Sequence, residues 1–280
     1  MGKITILGSA AAEGVPAIFC NCRVCTEAWK NGGKDMRLRT AYKLNDRVRI
    51  DFGPDSMAQE YKFQLHSENL KHVFITHSHE DHLDAHLFGF RRPGFSVVDE
   101  NNILNIYGNV GVMDFIYTAF AKRRCNFKLY RMNPVEIKAF EPVELPEEDM
   151  TFHPMIANHM PSEKPNFFIV RHGSKWLMIA NDTGYFCEED WAYIAGLKIR
   201  FDVVITDCTG GIRDARDGHM SGKYVIETKQ RLENMGCVDK DTQYFINHFS
   251  HNGRLTHAEL EAHYNPYGIR VGYDGLEIEY

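Results

Sequence analysis

The 280-residue sequence has no apolar stretch approaching the ~18 residues needed to span a bilayer. Its opening run MGKITILG is too short for a secretory signal and reads as a first strand. No membrane association is expected. A surplus of positive charge is also missing: 32 Lys and Arg stand against 38 Asp and Glu, net −6. The chain as a whole therefore offers no attraction to a phosphate backbone, and it has no basic arm of the kind that holds a folded RNA. Nucleic acid is not the expected partner. Cysteine is sparse and odd in number, seven in all, with three crowded at positions 20, 22 and 25. That distribution does not make a disulfide framework and fits a reducing, cytoplasmic setting. Short repeats, low-complexity tracts and convincing linkers are absent as well, so residues 1–280 read as one domain.

What is present is ordinary globular material, 44% hydrophobic and 25% charged. Short β-branched runs at 48–52, 72–76, 167–171, 176–180, 203–206 and 244–247 have strand character. Helical periodicity marks 55–64, 110–122, 188–195, 222–235 and 256–262. Strands lead each half of the chain and helices follow them. This α/β pattern predicts two similar sheets packed face to face with helices outside. Segments 91–102 and 209–219, rich in Gly, Asp, Arg and Asn, read as surface loops.

The densest chemistry lies in Thr76-His77-Ser78-His79-Glu80-Asp81-His82, directly after the apolar run Val73-Phe74-Ile75. In an extended segment His77 and His79, two residues apart, project to the same side and reach one metal. Asp81 and His82 then stand where the chain turns toward a helix and serve a second. Neutral imidazole and ionised carboxylate suit zinc, manganese or iron. A solvated helix entry with incidental histidines explains one histidine, not three with an aspartate in six residues.

Four ligands leave two metal positions incomplete, and the later strand ends supply more. His159 follows the run 152–157, Asp182 follows 176–180, and His248 follows 244–246. Alone, each is readable as a loop, turn or helix-entry residue; their shared placement favours ligation. Asp51 closes the run 48–50 and is read as a carboxylate that orients a ligating histidine.

In this order, Asp51, His77-x-His79-x-Asp81-His82, His159, Asp182 and His248 resemble the metallo-β-lactamase-fold hydrolases across nearly the whole chain. The resemblance implies a four-layer αββα sandwich with two divalent metals, Zn, Mn or Fe. It assigns His77, His79 and His159 to one metal, Asp81, His82 and His248 to the other, and Asp182 to both. The opening Leu7-Gly8-Ser9-Ala10-Ala11-Ala12-Glu13-Gly14-Val15-Pro16 with Cys20-x-Cys22-x-x-Cys25, and the ending Val271 to Ile278, are similar to the branch containing the cyclic phosphodiesterase of the carbon-phosphorus lyase pathway. By that likeness Cys20, Cys22, Cys25 and His251 hold one structural zinc, a closed tetrahedral site of three thiolates and an imidazole. A homodimer is implied too. A pyrroloquinoline-quinone biosynthesis protein of the same fold has a similar opening but departs from the histidine motif, which here is intact. Cys125, Cys187, Cys208 and Cys237 are read as core or unligated thiols.

Two adjacent metals can bring a bound water's pKa to about 7 and neutralise charge on a phosphoryl oxygen. The expected function is hydrolysis of a small phosphodiester, cyclic ones included. Asp81 and His219 are the candidate catalytic residues, His219 as proton donor to the leaving alkoxide; the bland reading of His219 is a helix-capping context. Arg213 and Arg216 read as solvated, and His66, His72, His86, His153, His172, His257 and His263 as structural or exposed. Lactone or thioester hydrolysis by the same centre is the alternative, since ligand motifs do not separate these classes. From another class comes a non-catalytic metal-binding scaffold, for which His79→Ala would change nothing.

Overall fold

The computed structural model describes residues 2–122 and 126–280. Cys125, read above as a core or unligated thiol, lies outside the described residues. Among the described residues fourteen strands form: β1 (Lys3–Gly8), β2 (Ala41–Lys43), β3 (Val48–Ile50), β4 (His72–Phe74), β5 (Leu104–Gly108), β6 (Met132–Glu136), β7 (Val143–Leu145), β8 (Met150–Ile156), β9 (Asn166–His172), β10 (Lys175–Ala180), β11 (Val203–Asp207), β12 (Gln243–Asn247), β13 (Arg270–Val271) and β14 (Glu277–Glu279). They make two seven-stranded sheets, ordered β14-β1-β2-β3-β4-β5-β6 and β13-β12-β11-β10-β9-β8-β7. In the first, β3 to β6 run parallel; in the second, β10 to β13 do. Helices cover the outer faces, giving the four-layer αββα sandwich.

The layering follows from burial on both faces of the central strands. A sheet with helices on one face and a second sheet on the other has no wet side, so its strands read as continuous apolar runs. Val203–Asp207 and Leu177 to Ala180 are buried at every position. Ile4, Ile6, Phe74, Phe152, Phe168, Leu177, Ile205 and Phe245 meet between the sheets. Separate clusters seat the helices: Trp191, Ile194, Val225, Leu232 and Leu260 on the second sheet, and Val112, Ile116 and Phe120 on the first. Among the described residues no helix is long and apolar enough to cross a membrane.

Helix ends are placed by capping. Asn109 accepts from the Val112 N–H at 3.0 Å and starts Val110–Ala121. Thr256 and Glu259 form a capping box at His257–Tyr264.

Phe74, the last residue of β4, joins the layers. Its ring lies 3.7 Å from Phe152 and 4.3 Å from Tyr107, nearly parallel to both, and edge-on to Phe168 at 5.6 Å. Phe74→Ala is expected to cost about 3–5 kcal/mol, since the close-packed surround cannot collapse into the space. Chemical denaturation measures it, and a loss below about 1 kcal/mol would show that this stack does not hold the sheets together.

Both parallel runs end on the same edge. Asp51 follows β3, residues 76–82 follow β4, Asp182 follows β10 by two residues, Asp207 is the last residue of β11, and His248 follows β12. In α/β sheets such carboxyl ends are where ligands are met.

Candidate metal centre

The segment 76–82 is not extended; it runs through bends and turns. β4 stops because Thr76 is captured sideways: its N–H and hydroxyl donate to Asp51 Oδ1 at 2.9 and 3.0 Å. The turn that follows packs against the chain after β3. The Phe52 N–H donates to the His82 carbonyl at 2.8 Å, and a Cβ on Gly53 would stand 1.9 Å from the Asp81 carbonyl oxygen. Only glycine permits that approach.

The bends bring His77 Nε2 to 2.8 Å from His79 Nδ1. His159, from the connection between β8 and β9, places its Nε2 3.1 Å from the same His79 nitrogen. Its Nδ1–H donates to the Gly218 carbonyl at 2.9 Å, which leaves Nε2 as the electron-pair donor. A second group gathers beside this trio. His82 Nε2 lies 3.1 Å from Asp81 Oδ2 and 3.0 Å from Asp182 Oδ2; His248 Nε2 lies 3.0 Å from Asp182 Oδ2 and 3.8 Å from Asp81 Oδ2. Asp182 stands between the groups, its Oδ1 4.0 Å from His77 Nε2 and 3.8 Å from His159 Nε2. Asp51, at 2.6 Å from His82 Nδ1, fixes that ring from behind.

These donor sets fit divalent cations. His82 Nε2, His248 Nε2 and Asp182 Oδ2 are buried without a hydrogen-bond partner among the described residues, although they converge. Buried polar atoms are ordinarily paired, so such a convergence marks a place for an ion. Three residues around it, Asp51, Asp182 and His248, hold left-handed backbone at φ 64°, 52° and 65°. Non-glycine residues in that region carry strain and recur at functional sites.

The electrostatics agree. Burial opposes charge on Asp182, yet the flanking His248 and His82 hold its carboxyl well below the usual range. Burial opposes a proton on His82 too, but Asp182, Asp81 and Asp51 push it well above the ordinary imidazole value. His77 goes the other way, lowered by burial and by His82. Carboxylates that favour a proton on a buried ring equally favour a metal cation beside it.

His219 lies over the junction, its ring centroid 4.6 Å from His159 and 5.4 Å from His248. The residue beneath it, Asp207, is fully buried and was not singled out in the sequence. Asp207 Oδ2 is 3.1 Å from His219 Nδ1 and accepts the Asp182 N–H at 2.9 Å, while Oδ1 accepts the Thr209 N–H at 2.8 Å. The Thr209 hydroxyl lies 2.7 Å from His248 Nδ1. Burial disfavours charge on His219, but Asp207 overcomes it and lifts the imidazole to about 9. A carboxylate just beyond an apolar run is the signature that marked Asp51, and it was available for Asp207. Arg216 lies over the Tyr185 ring at 5.3 Å, on the loop that carries His219.

Away from this centre, Cys20, Cys22, Cys25 and His251 converge, with the Cys20 and Cys22 sulfurs 3.4 and 3.5 Å from His251 Nδ1. Burial would raise the Cys22 thiol; the Cys25 backbone N–H and His251 reverse this and bring it to about 6. Glu13 lies 3.5 Å from His251 Nε2. Cys187, Cys208 and Cys237 stand apart from it, Cys208 and Cys237 buried.

Residues 46–238 match the beta-lactamase superfamily domain, more than half of the chain. An octanoyltransferase of Porphyromonas gingivalis W83 is 26% identical over 287 residues, 98% of this chain and 51% of that protein, so the chain spans about half the length of this relative. Two solved structures share the fold along their whole length. A diphosphatase of the PhnP family superposes with TM-score 0.75 at 21% identity, covering 100% of this chain and 98% of that one. Zn(2+)-bound PqqB from Methylobacterium extorquens superposes with TM-score 0.74 at 17% identity, covering 99% and 100%. The chain belongs to the beta-lactamase superfamily and has the fold of its metallo-hydrolases.

Proposed function

We propose that this protein is a dinuclear metal-dependent phosphodiesterase acting on a small phosphodiester, cyclic ones included. His77, His79 and His159 would hold one divalent cation, Asp81, His82 and His248 a second, and Asp182 would reach both. Bound there, zinc, manganese or iron supplies an activated water at neutral pH and charge neutralisation for the phosphoryl group. The residues supply the rest. Asp51 holds His82 in orientation at 2.6 Å, and Thr209 does so for His248 at 2.7 Å.

The observation that carries the phosphodiester reading is the placement of His219 against one ligand of each group, 4.6 Å from His159 and 5.4 Å from His248. With Nδ1 on Asp207, its Nε2 is the edge left to a substrate. A protonated imidazole there both faces a phosphate oxygen and delivers a proton to the leaving alkoxide.

Acyl hydrolysis is the second reading, favoured by the relative named for octanoyl transfer that matches 98% of this chain. Metal-loaded protein assayed on a five-membered cyclic phosphodiester, bis(p-nitrophenyl) phosphate, a lactone and an octanoyl thioester separates the two. Preference for the phosphodiesters by kcat/KM is expected; preference for the thioester or lactone overturns the phosphodiesterase assignment.

The cysteine cluster is proposed as a structural zinc site, closed by four protein ligands. Cys22→Ser is expected to lower zinc by about one per chain by elemental analysis while the centre keeps its metals. The melting temperature should fall too, at about 2–4 °C per kcal/mol lost in a chain of this size class. Unchanged zinc content would sink the structural role.

A further inference from the structure

The His77, His79 and His159 group is assembled from both sheets. His77 and His79 follow β4 of the first, whereas His159 lies between β8 and β9 of the second. Something must set the separation of these two segments to within a fraction of an ångström, because a ligand group that is loose binds poorly.

Ser78, between the two histidines, is held by a residue from the other segment. The Ser78 N–H donates to Glu163 Oε1 at 2.6 Å, and its hydroxyl donates to Glu163 Oε2 at 2.7 Å. Both bonds are short and charge-assisted, the strong kind. Glu163 stands four residues after His159 and is only 6% exposed. Glutamate is rarely buried unless its charge is matched. Here the match includes the start of helix Val110–Ala121, where free backbone N–H groups favour an anion. Gly111 makes the approach possible: a Cβ there would lie 2.3 Å from Glu163 Cγ and 2.8 Å from its Cδ. Two further bonds run alongside, from the Asn166 backbone N–H to the Thr76 carbonyl at 2.9 Å and from the Asn109 side-chain Nδ2 to the Lys164 carbonyl at 3.2 Å.

We infer that Glu163 is a positioning residue that locks the His159 segment onto Ser78 and thereby sets the affinity of the His77, His79 and His159 position for its cation. It acts through Ser78 and touches neither substrate nor metal. The inference rests on the dinuclear reading of the centre.

The test compares wild type, Glu163→Ala, Glu163→Gln and Ser78→Ala by elemental analysis and by zinc titration against a competing chelator, with thermal unfolding alongside. Glu163→Ala should weaken one of the two centre positions about 10–100-fold, the usual effect of removing a partner that orients a ligand. Glutamine keeps one acceptor for the Ser78 N–H and one donor for its hydroxyl but loses the charge, so Glu163→Gln should weaken the position less than Glu163→Ala does. Ser78→Ala, which keeps the backbone bond alone, should fall between them. Zinc in the cysteine cluster should be unaffected in all three. Full affinity at both centre positions in Glu163→Ala and Ser78→Ala overturns the inference, as does proportional loss of all three metals together with a fall in unfolding temperature. A wild-type protein that binds no metal at the centre overturns the dinuclear reading and this inference with it, and is told apart because the defect appears without any substitution.

Discussion

Asp182→Asn is expected to empty the centre of tightly held metal and to lower hydrolysis at least about 10³-fold, some 4 kcal/mol of transition-state stabilisation. Asparagine is the informative replacement. Asp182 holds left-handed backbone at φ 52°, which asparagine tolerates and alanine resists. The substitution therefore changes charge while the turn is kept. It removes the one carboxylate that addresses both groups, Oδ2 at 3.0 Å from both His82 and His248 and Oδ1 at 3.8 Å from His159. An amide offers one neutral oxygen where two anionic ones stood. Elemental analysis should show the cysteine-bound zinc alone, and steady-state kinetics should follow. Retention of metal with unimpaired turnover would mean that Asp182 is not a shared ligand.

His219→Asn should leave metal content unchanged and lower kcat about 10²–10⁴-fold, the range for a positioned proton donor. The leaving group sharpens this prediction. An alkoxide leaves poorly without a proton, whereas p-nitrophenolate leaves without help. The deficit should accordingly be large for an alkyl phosphodiester and small for bis(p-nitrophenyl) phosphate. Equal deficits on both would reassign His219 to binding, and no deficit on either would leave it a capping residue of the helix Lys223–Asn234.

The His-x-His-x-Asp-His segment was legible because seven residues carry their own chemistry and follow an apolar run. Asp182 and His248 were legible by their strand-end position, which depends only on where an apolar run stops. The six strands and five helices read from periodicity are present, with ends shifted by a few residues: 48–52 closes at Ile50, and 188–195 continues to Leu197. The loop shape of 76–82 was not legible, because the bend at Thr76 is made by Asp51, 25 residues away in sequence. Glu163 was hidden for a similar reason. Nothing near it in sequence marks it, and its partner Ser78 is 85 residues distant. The short strands β2, β7 and β13 owe their pairing to neighbours in the sheet rather than to any pattern of their own. Asp207 carries the same mark as Asp51 and Asp182, a carboxylate where an apolar run stops, and was legible on that ground.

The first strand has its partners at opposite ends of the chain. β1 pairs with β2 on one side and with β14 on the other, and Lys3 meets Glu277 across 274 residues of sequence. Closing so long a segment is slow, because its chain entropy is lost before the contact rewards it. During folding the apolar residues Ile4 and Ile6 therefore wait beside an unpaired edge until the final strand arrives, and an unpaired apolar edge is a template for another chain. Refolding yield should depend on protein concentration far more than final stability does.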